Sequence, residues 1–277
     1  MNSESANQRN NDSVGTGRLG ETRPIPQYRL LKIILMFAWP AAWFSLLIYG
    51  IAPFFIRQDN SAPTWLVNLL WLLGNGAEFV VALIILRREG YRLTLKALRD
   101  RINWRWPNRW WKWLAIVGAL VIGFGLTIVL MPLQKDVATT FPPPTWMPGH
   151  PLKEIKSLQD GYPDVNFTGN FLFLIVRFVI LGFIGNMVGE ELYYRGVLQP
   201  KMKGVFGKWA WVANGIGFTL KHAYYYWRLP YLWPGGLGLA FIFGPMGSLP
   251  MAILIHWVTN GEPFMLVLAI QAVLGWK

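Results

Sequence analysis

The sequence predicts an all-α, polytopic transmembrane helix bundle of about seven spans, six to eight. Three observations carry this. Of the 277 residues, 53% are hydrophobic and only 14% charged, whereas soluble domains average about 25% charged; the mean hydropathy is +0.32. Several apolar segments reach the roughly 20 residues needed to cross a hydrocarbon core. Sixteen Trp suit anchoring at membrane–water interfaces.

Taken in order, residues 1–29 are rich in Asn, Ser, Gly and Arg, lack an apolar run and are expected to be a disordered tail. The first span runs from Leu30 to Ile56. It is too long for a secretory h-region with a small-residue cleavage site, so no cleavage is expected. Pro40 and Pro53 are expected to kink or end it. The next spans are Trp65 to Leu86, Trp111 to Leu133, Phe171 to about Gln199, Trp209 to Trp227, Leu232 to Leu249 and Met251 to Val273. The sixth, with Pro234-Gly235-Gly236 and Gly244-Pro245, is expected to be broken or re-entrant, which requires it to pack on protein. The chain thus divides into the tail, N-terminal transmembrane helices over 30–170, and a core over 171–277 formed by the last four spans.

The loop 87–112 carries nine Lys or Arg against Glu89 and Asp100, and is expected to be cytoplasmic. Tyr91 to Trp106 is expected to lie on the membrane as a basic interfacial helix. The loop 134–169 holds Pro142-Pro143-Pro144, with Lys135, Lys153 and Lys156 against Asp136, Glu154, Asp160 and Asp164; it is expected to be irregular and external. The N-terminus is then cytoplasmic and the expected location is the cell membrane. The net charge of +12 is concentrated beside apolar segments, which points to topology and lipid headgroups rather than nucleic acid. With no Cys, disulfides, thiolate metal sites and a Cys nucleophile are excluded.

Charged side chains cost about 2.5–3.5 kcal/mol each at the centre of a membrane helix, so each one there needs a partner, water or a chemical task. Three constellations stand out: Glu190-Glu191-x-x-x-Arg195, Phe218-x-x-x-His222 and His256-x-x-x-Asn260. Residues four apart share a helix face. Glu191 and Arg195 therefore pair, and Glu190, about 100° around the helix, is the carboxylate left for another task. Phe218 packs beside His222. His256 and Asn260 offer N–H donors on one face, suited to an oxyanion. A carboxylate with water in reach acts as general base, and an imidazole can hold the water or shuttle its proton. Together these residues are a peptidase toolkit without a side-chain nucleophile.

At these residues the sequence resembles the CPBP intramembrane peptidases, which include CAAX endopeptidases and bacterial relatives linked to bacteriocin processing and self-immunity. Their motifs EExxxR, FxxxH and HxxxN/B stand here as Glu190-Glu191-Leu192-Tyr193-Tyr194-Arg195, Phe218-Thr219-Leu220-Lys221-His222 and His256-Trp257-Val258-Thr259-Asn260. The likeness covers roughly Phe171 to Val273. It implies that Glu190 and His222 activate a water, that His256 and Asn260 form the oxyanion site, and that Glu191 and Arg195 hold the first motif in place. It also implies an intramembrane endopeptidase acting on membrane-associated proteins or peptides, prenylated CAAX or leader-peptide substrates among them. The chain's own end, Gly275-Trp276-Lys277, is no CAAX box.

No cofactor is favoured. The alternative is zinc on Glu190, His222 and His256, since such donors leave an open fourth position; no H-E-x-x-H helix is present. Lys221 is expected to snorkel away from the site. Asn75 and Glu78, mid-span in the second helix, are assigned a structural role. The rival functions are a non-catalytic immunity or partner-binding protein on the same scaffold and a transporter, although no internal repeat is visible. The lipid bilayer and a membrane-associated substrate are the expected partners, and the oligomeric state is left open.

Overall fold

The computed structural model describes residues 24–147, 150, 157–162 and 164–276. The tail expected over residues 1–29 falls, up to residue 23, outside the described residues, as do Lys153, Glu154 and Lys156. Residues 24–29 are extended and docked: the Tyr28 N–H donates to the Lys201 carbonyl at 2.9 Å.

All regular structure among the described residues is helical. Among the described residues four helices are long and apolar enough to cross a membrane: the run Leu30–Phe55, whose α-helical part is α1 (Leu30–Ser45), then α2 (Thr64–Arg88), α3 (Trp110–Leu130) and the long irregular α4 (Phe171–Lys201). Two further helices, α7 (Leu249–Thr259) and α8 (Glu262–Leu274), give a fifth if the pair, bent by 57°, is one span. Between them lie the shorter α5 (Ala210–Leu220) and α6 (Leu229–Phe243).

Four or five segments therefore meet the test of length and composition, against about seven expected. The breaks have local causes. α-Helical geometry lapses after Leu220, with His222 at φ −81°, ψ 20° and Tyr225 at φ −117°, ψ 49°. Gly261, at φ +72°, turns the chain between α7 and α8 in a conformation that costs glycine little. Pro40 does not end α1; the helix runs through it, loosens into wide turns over Leu46–Ile51 and ends as a tight turn containing Pro53.

The outer surface is made for lipid. On α3 only Ile116 is buried, while Val121, Ile122, Phe124 and Val129 are exposed. A continuous apolar surface of this kind is foreign to a soluble monomer and suits a hydrocarbon surround. The chain is an integral membrane protein. One of its buried apolar clusters joins Ile33 of α1, Ala82 and Leu86 of α2, Tyr193, Tyr194 and Val197 of α4, Phe218 of α5 and Ile253 of α7. α5 and α6 cross closely at paired glycines: a Cβ on Gly215 would stand 2.9 Å from Leu237 Cα, and one on Gly236 2.5 Å from Thr219 Oγ1. Small residues at such crossings let backbones approach in a membrane bundle.

Both large loops differ from expectation. The basic loop is not an interfacial helix: it holds a single helical turn, Leu95–Leu98, capped by Thr94, and it docks inward. Leu98 and Ile102 enter the core. Arg101 is buried, donating to Glu89 at 2.7 Å and to the Gly196 carbonyl of α4 at 2.8 Å, while Lys201 reaches Glu89 at 2.6 Å. One carboxylate gathers two cations, and that outweighs a surface position. The Pro-rich loop begins with a helix, Leu133–Thr140. Met147 packs against Phe44 and Tyr225, and Asp164 binds Arg57 at 2.7 Å and accepts the Thr64 N–H at the start of α2.

Candidate active site

The first motif sits where α4 leaves α geometry. Ile175–Val188 and Glu191–Leu198 are π-helical, with Gly189 and Glu190 at the junction. Such wide turns recur at functional sites, and here they let adjacent glutamates approach one imidazole. His256 Nδ1 lies 2.9 Å from Glu191 Oε1, and its Nε2 lies 4.0 Å from Glu190 Oε2.

Glu191 and Arg195 pair as their spacing predicts, Nη1 to Oε1 at 3.1 Å, both fully buried. The contact is an ion pair by distance, without an aligned N–H···O hydrogen bond. Arg195 also donates from Nη2 to the Gly236 carbonyl at 3.3 Å and lies 3.9 Å over the Phe218 ring. The glycine crossing of α5 and α6 thus supplies the acceptor for the motif's arginine. Phe218 is the hub: its ring also meets Tyr194 at 5.0 Å, His222 at 5.0 Å and His256 at 6.0 Å.

His222 lies at the start of the kinked segment Lys221–Arg228 that follows α5. Its Nδ1 is 2.9 Å from the Phe218 carbonyl. A carbonyl only accepts, so Nδ1 carries the proton and, in the neutral ring, Nε2 keeps a lone pair. Asn260 caps the end of α7, its N–H bonded to the His256 carbonyl at 3.0 Å, and its carboxamide is exposed toward the cavity. Glu190, His222, His256 and Asn260 all line one cavity of about 200 Å³, with Phe218 in its wall.

Lys221 does not snorkel away. Its ammonium is buried between two carboxylates, 2.9 Å from Glu190 Oε1 and 3.2 Å from Glu78 Oε1. Tyr194 donates to the same Glu78 oxygen at 2.8 Å. An ammonium whose stem starts mid-bundle has no short route to water, and two nearby anions offset its burial. Glu78, assigned a structural role from sequence, belongs to the site's own network. The signal was present: opposite charges stranded in two different spans must meet. Asn75 is buried and lines a second cavity instead.

That second cavity, about 350 Å³, adjoins the first and shares Asn186, Arg228 and Asn260 with it. It reaches Asn68 near the start of α2 and the Arg177–Glu262 ion pair, 3.1 Å, near the start of α4. The first cavity reaches Thr127 near the end of α3. These helix ends adjoin loop 134–169, so the hollow widens toward that face and away from the basic loop.

The donors do not fit a zinc site. Among the described residues no three His, Asp or Glu are grouped to hold a metal, and the Lys221 ammonium already sits on Glu190 Oε1.

Residues 171–261 match the family model for type II CAAX prenyl endopeptidase Rce1-like proteins. The match begins at the first residue of α4 and ends at the glycine that closes α7, so it spans all three motifs. The match supports the CPBP/CAAX protease family for this core. The CAAX-protease match covers about a third of the chain and leaves α1 to α3, and with them Glu78, outside it. No curated protein and no solved structure matches the chain.

Proposed function

We propose that this protein is a glutamate-dependent intramembrane endopeptidase that hydrolyses a peptide bond in a membrane-associated protein or peptide, with prenylated CAAX ends and leader peptides as the substrate classes to try first. One observation carries the reading: a carboxylate, two imidazoles and a carboxamide from three separate helical segments line the same hollow. Ionisable groups inside a membrane protein are expensive there and mark functional sites.

Glu190 is the base. With Oε1 held by Lys221, Oε2 is the oxygen toward His256 and the cavity. A water held by Oε2 and the free Nε2 of His222 gives a proton to Glu190 as its oxygen attacks the peptide carbonyl carbon. The carbonyl oxygen becomes an oxyanion, met by the Asn260 Nδ2–H and by His256. His256 donates there once Nε2 carries a proton, with Glu191 balancing the charge at Nδ1, the service a carboxylate gives a catalytic histidine. Glu190 then passes its proton to the leaving nitrogen as the C–N bond breaks, so one water yields a carboxylic acid and an amine.

The cell membrane as location and a cytoplasmic N-terminus belong to the same proposal. The test is cleavage by the protein in lipid vesicles of a library of lipidated and leader peptides, wild type against Glu190→Gln. Cleavage by wild type that falls by about 10²–10⁴-fold in the variant is expected. Equal cleavage by both, or none by a folded wild type with solute flux across the vesicles instead, overturns it.

A further inference from the structure

We infer that Lys221 is a positioning residue for the Glu190 carboxylate and that Glu78, on a helix outside the matched family segment, holds Lys221 in that role. The inference rests on Glu190 being the base, as proposed above.

The geometry is specific. The Lys221 ammonium bonds Glu190 through Oε1 alone, at 2.9 Å, which leaves Oε2 as the oxygen toward His256. On its other side it reaches Glu78 Oε1 at 3.2 Å, and that oxygen is fixed by the Tyr194 hydroxyl. All three charged side chains are at most 3% exposed. Phe44, Tyr194 and Phe218 present their rings at 5.2–5.4 Å and close the remaining approaches.

The other ionisable groups around Glu190 have different commitments. On its own helix Glu191 is matched by Arg195. Tyr194 is bonded to Glu78. From the segment after α5, His222 is bonded to the Phe218 carbonyl and Tyr224 packs beside it. From α7, His256 is bonded to Glu191. Lys221 is therefore the cation in direct contact with Glu190. Two carboxylates so close in a low-dielectric interior do not both stay charged without a cation between them. An ammonium there keeps Glu190 able to take a proton, and its single-oxygen grip sets the rotamer that aims the other oxygen at the cavity. Reactive groups need such orientation, since small misplacements cost large factors in rate. A snorkelling lysine would do neither.

The test uses the full-length protein in vesicles with any peptide the wild type cleaves, comparing Glu190→Gln, Lys221→Arg, Lys221→Met and the charge-balanced double variant Glu78→Gln/Lys221→Met. The expected result is a fall in kcat of about 10²-fold for Lys221→Met with KM within about threefold of wild type, at unchanged helicity and melting temperature. Lys221→Arg recovers about tenfold of that loss, because an arginine restores the cation but not its single-oxygen grip. Should Lys221→Met fail to fold, the double variant, which removes one anion with the cation, carries the comparison and remains slow. Wild-type kcat in a folded Lys221→Met or double variant, or a loss confined to KM, overturns the inference. A dead Glu190→Gln beside a fully active Lys221→Met would remove the lysine's role alone; an active Glu190→Gln would remove the proposed base and this inference with it.

Discussion

His256 joins two consecutive glutamates, 2.9 Å from Glu191 at one ring nitrogen and 4.0 Å from Glu190 at the other. The ring is thereby oriented by one carboxylate and aimed at its neighbour. Glu191→Gln removes the single charge that both balances His256 and offsets Arg195. The expected loss is about 10²–10⁴-fold in kcat, with stability lower by about 3–5 kcal/mol for the stranded, fully buried guanidinium. Vesicle kinetics and thermal melting measure both; undiminished kcat would show that the ring needs no orienting partner.

The direction of the hollow makes a topological prediction. A chain without Cys accepts single reporter thiols cleanly. Cysteines at Asn68 and at Lys135 are expected to label from the same side of sealed vesicles with a membrane-impermeant reagent, and a cysteine at Lys96 in the basic loop from the opposite side. If Asn68→Cys labels together with Lys96→Cys, the hollow opens on the basic face instead.

The glycine crossing of α5 and α6 is tight enough to test by one methyl group. In Gly215→Ala the new Cβ meets the Leu237 backbone at 2.9 Å, and in Gly236→Ala it meets Thr219 Oγ1 at 2.5 Å. Each is expected to cost about 1–3 kcal/mol, read as a lower melting temperature. Gly236→Ala should also lower kcat, because its carbonyl accepts from Arg195. Wild-type melting in Gly215→Ala would mean that the helices can separate freely.

Beyond the spans, Glu89 ties the basic loop to the bundle. Burial alone would raise its carboxyl, but the bonds from Arg101 and Lys201 prevail and hold it below the ordinary carboxylate value. A carboxyl depressed in the folded state contributes stability above its unfolded value of about 4.3. That contribution disappears as pH falls from there through the folded value. Melting temperature between pH 7 and 3 should therefore drop more steeply for wild type than for Glu89→Gln, which starts lower at pH 7. Parallel curves would mean that the cluster contributes nothing.

Much of the site was legible in the sequence because its parts are local. The Glu191–Arg195 pair and the Phe218–His222 ring contact arise from residues four apart, and helical geometry brings such residues together whatever the rest of the chain does. Composition likewise determined the fold class, since chains this apolar satisfy their backbone in lipid with helices.

Only the tertiary structure decided which distant charges meet. The cost of a buried ion announces that Glu78 and Lys221 must find partners, but it is the same for any partner. The Glu78–Lys221–Glu190 bridge spans 143 residues between its first two members and exists because α2, α4 and the segment after α5 pack around one point. The inward docking of Arg101 and the face toward which the hollow widens have the same origin. They depend on how helices are arranged about each other, and hydropathy along a chain carries no term for that.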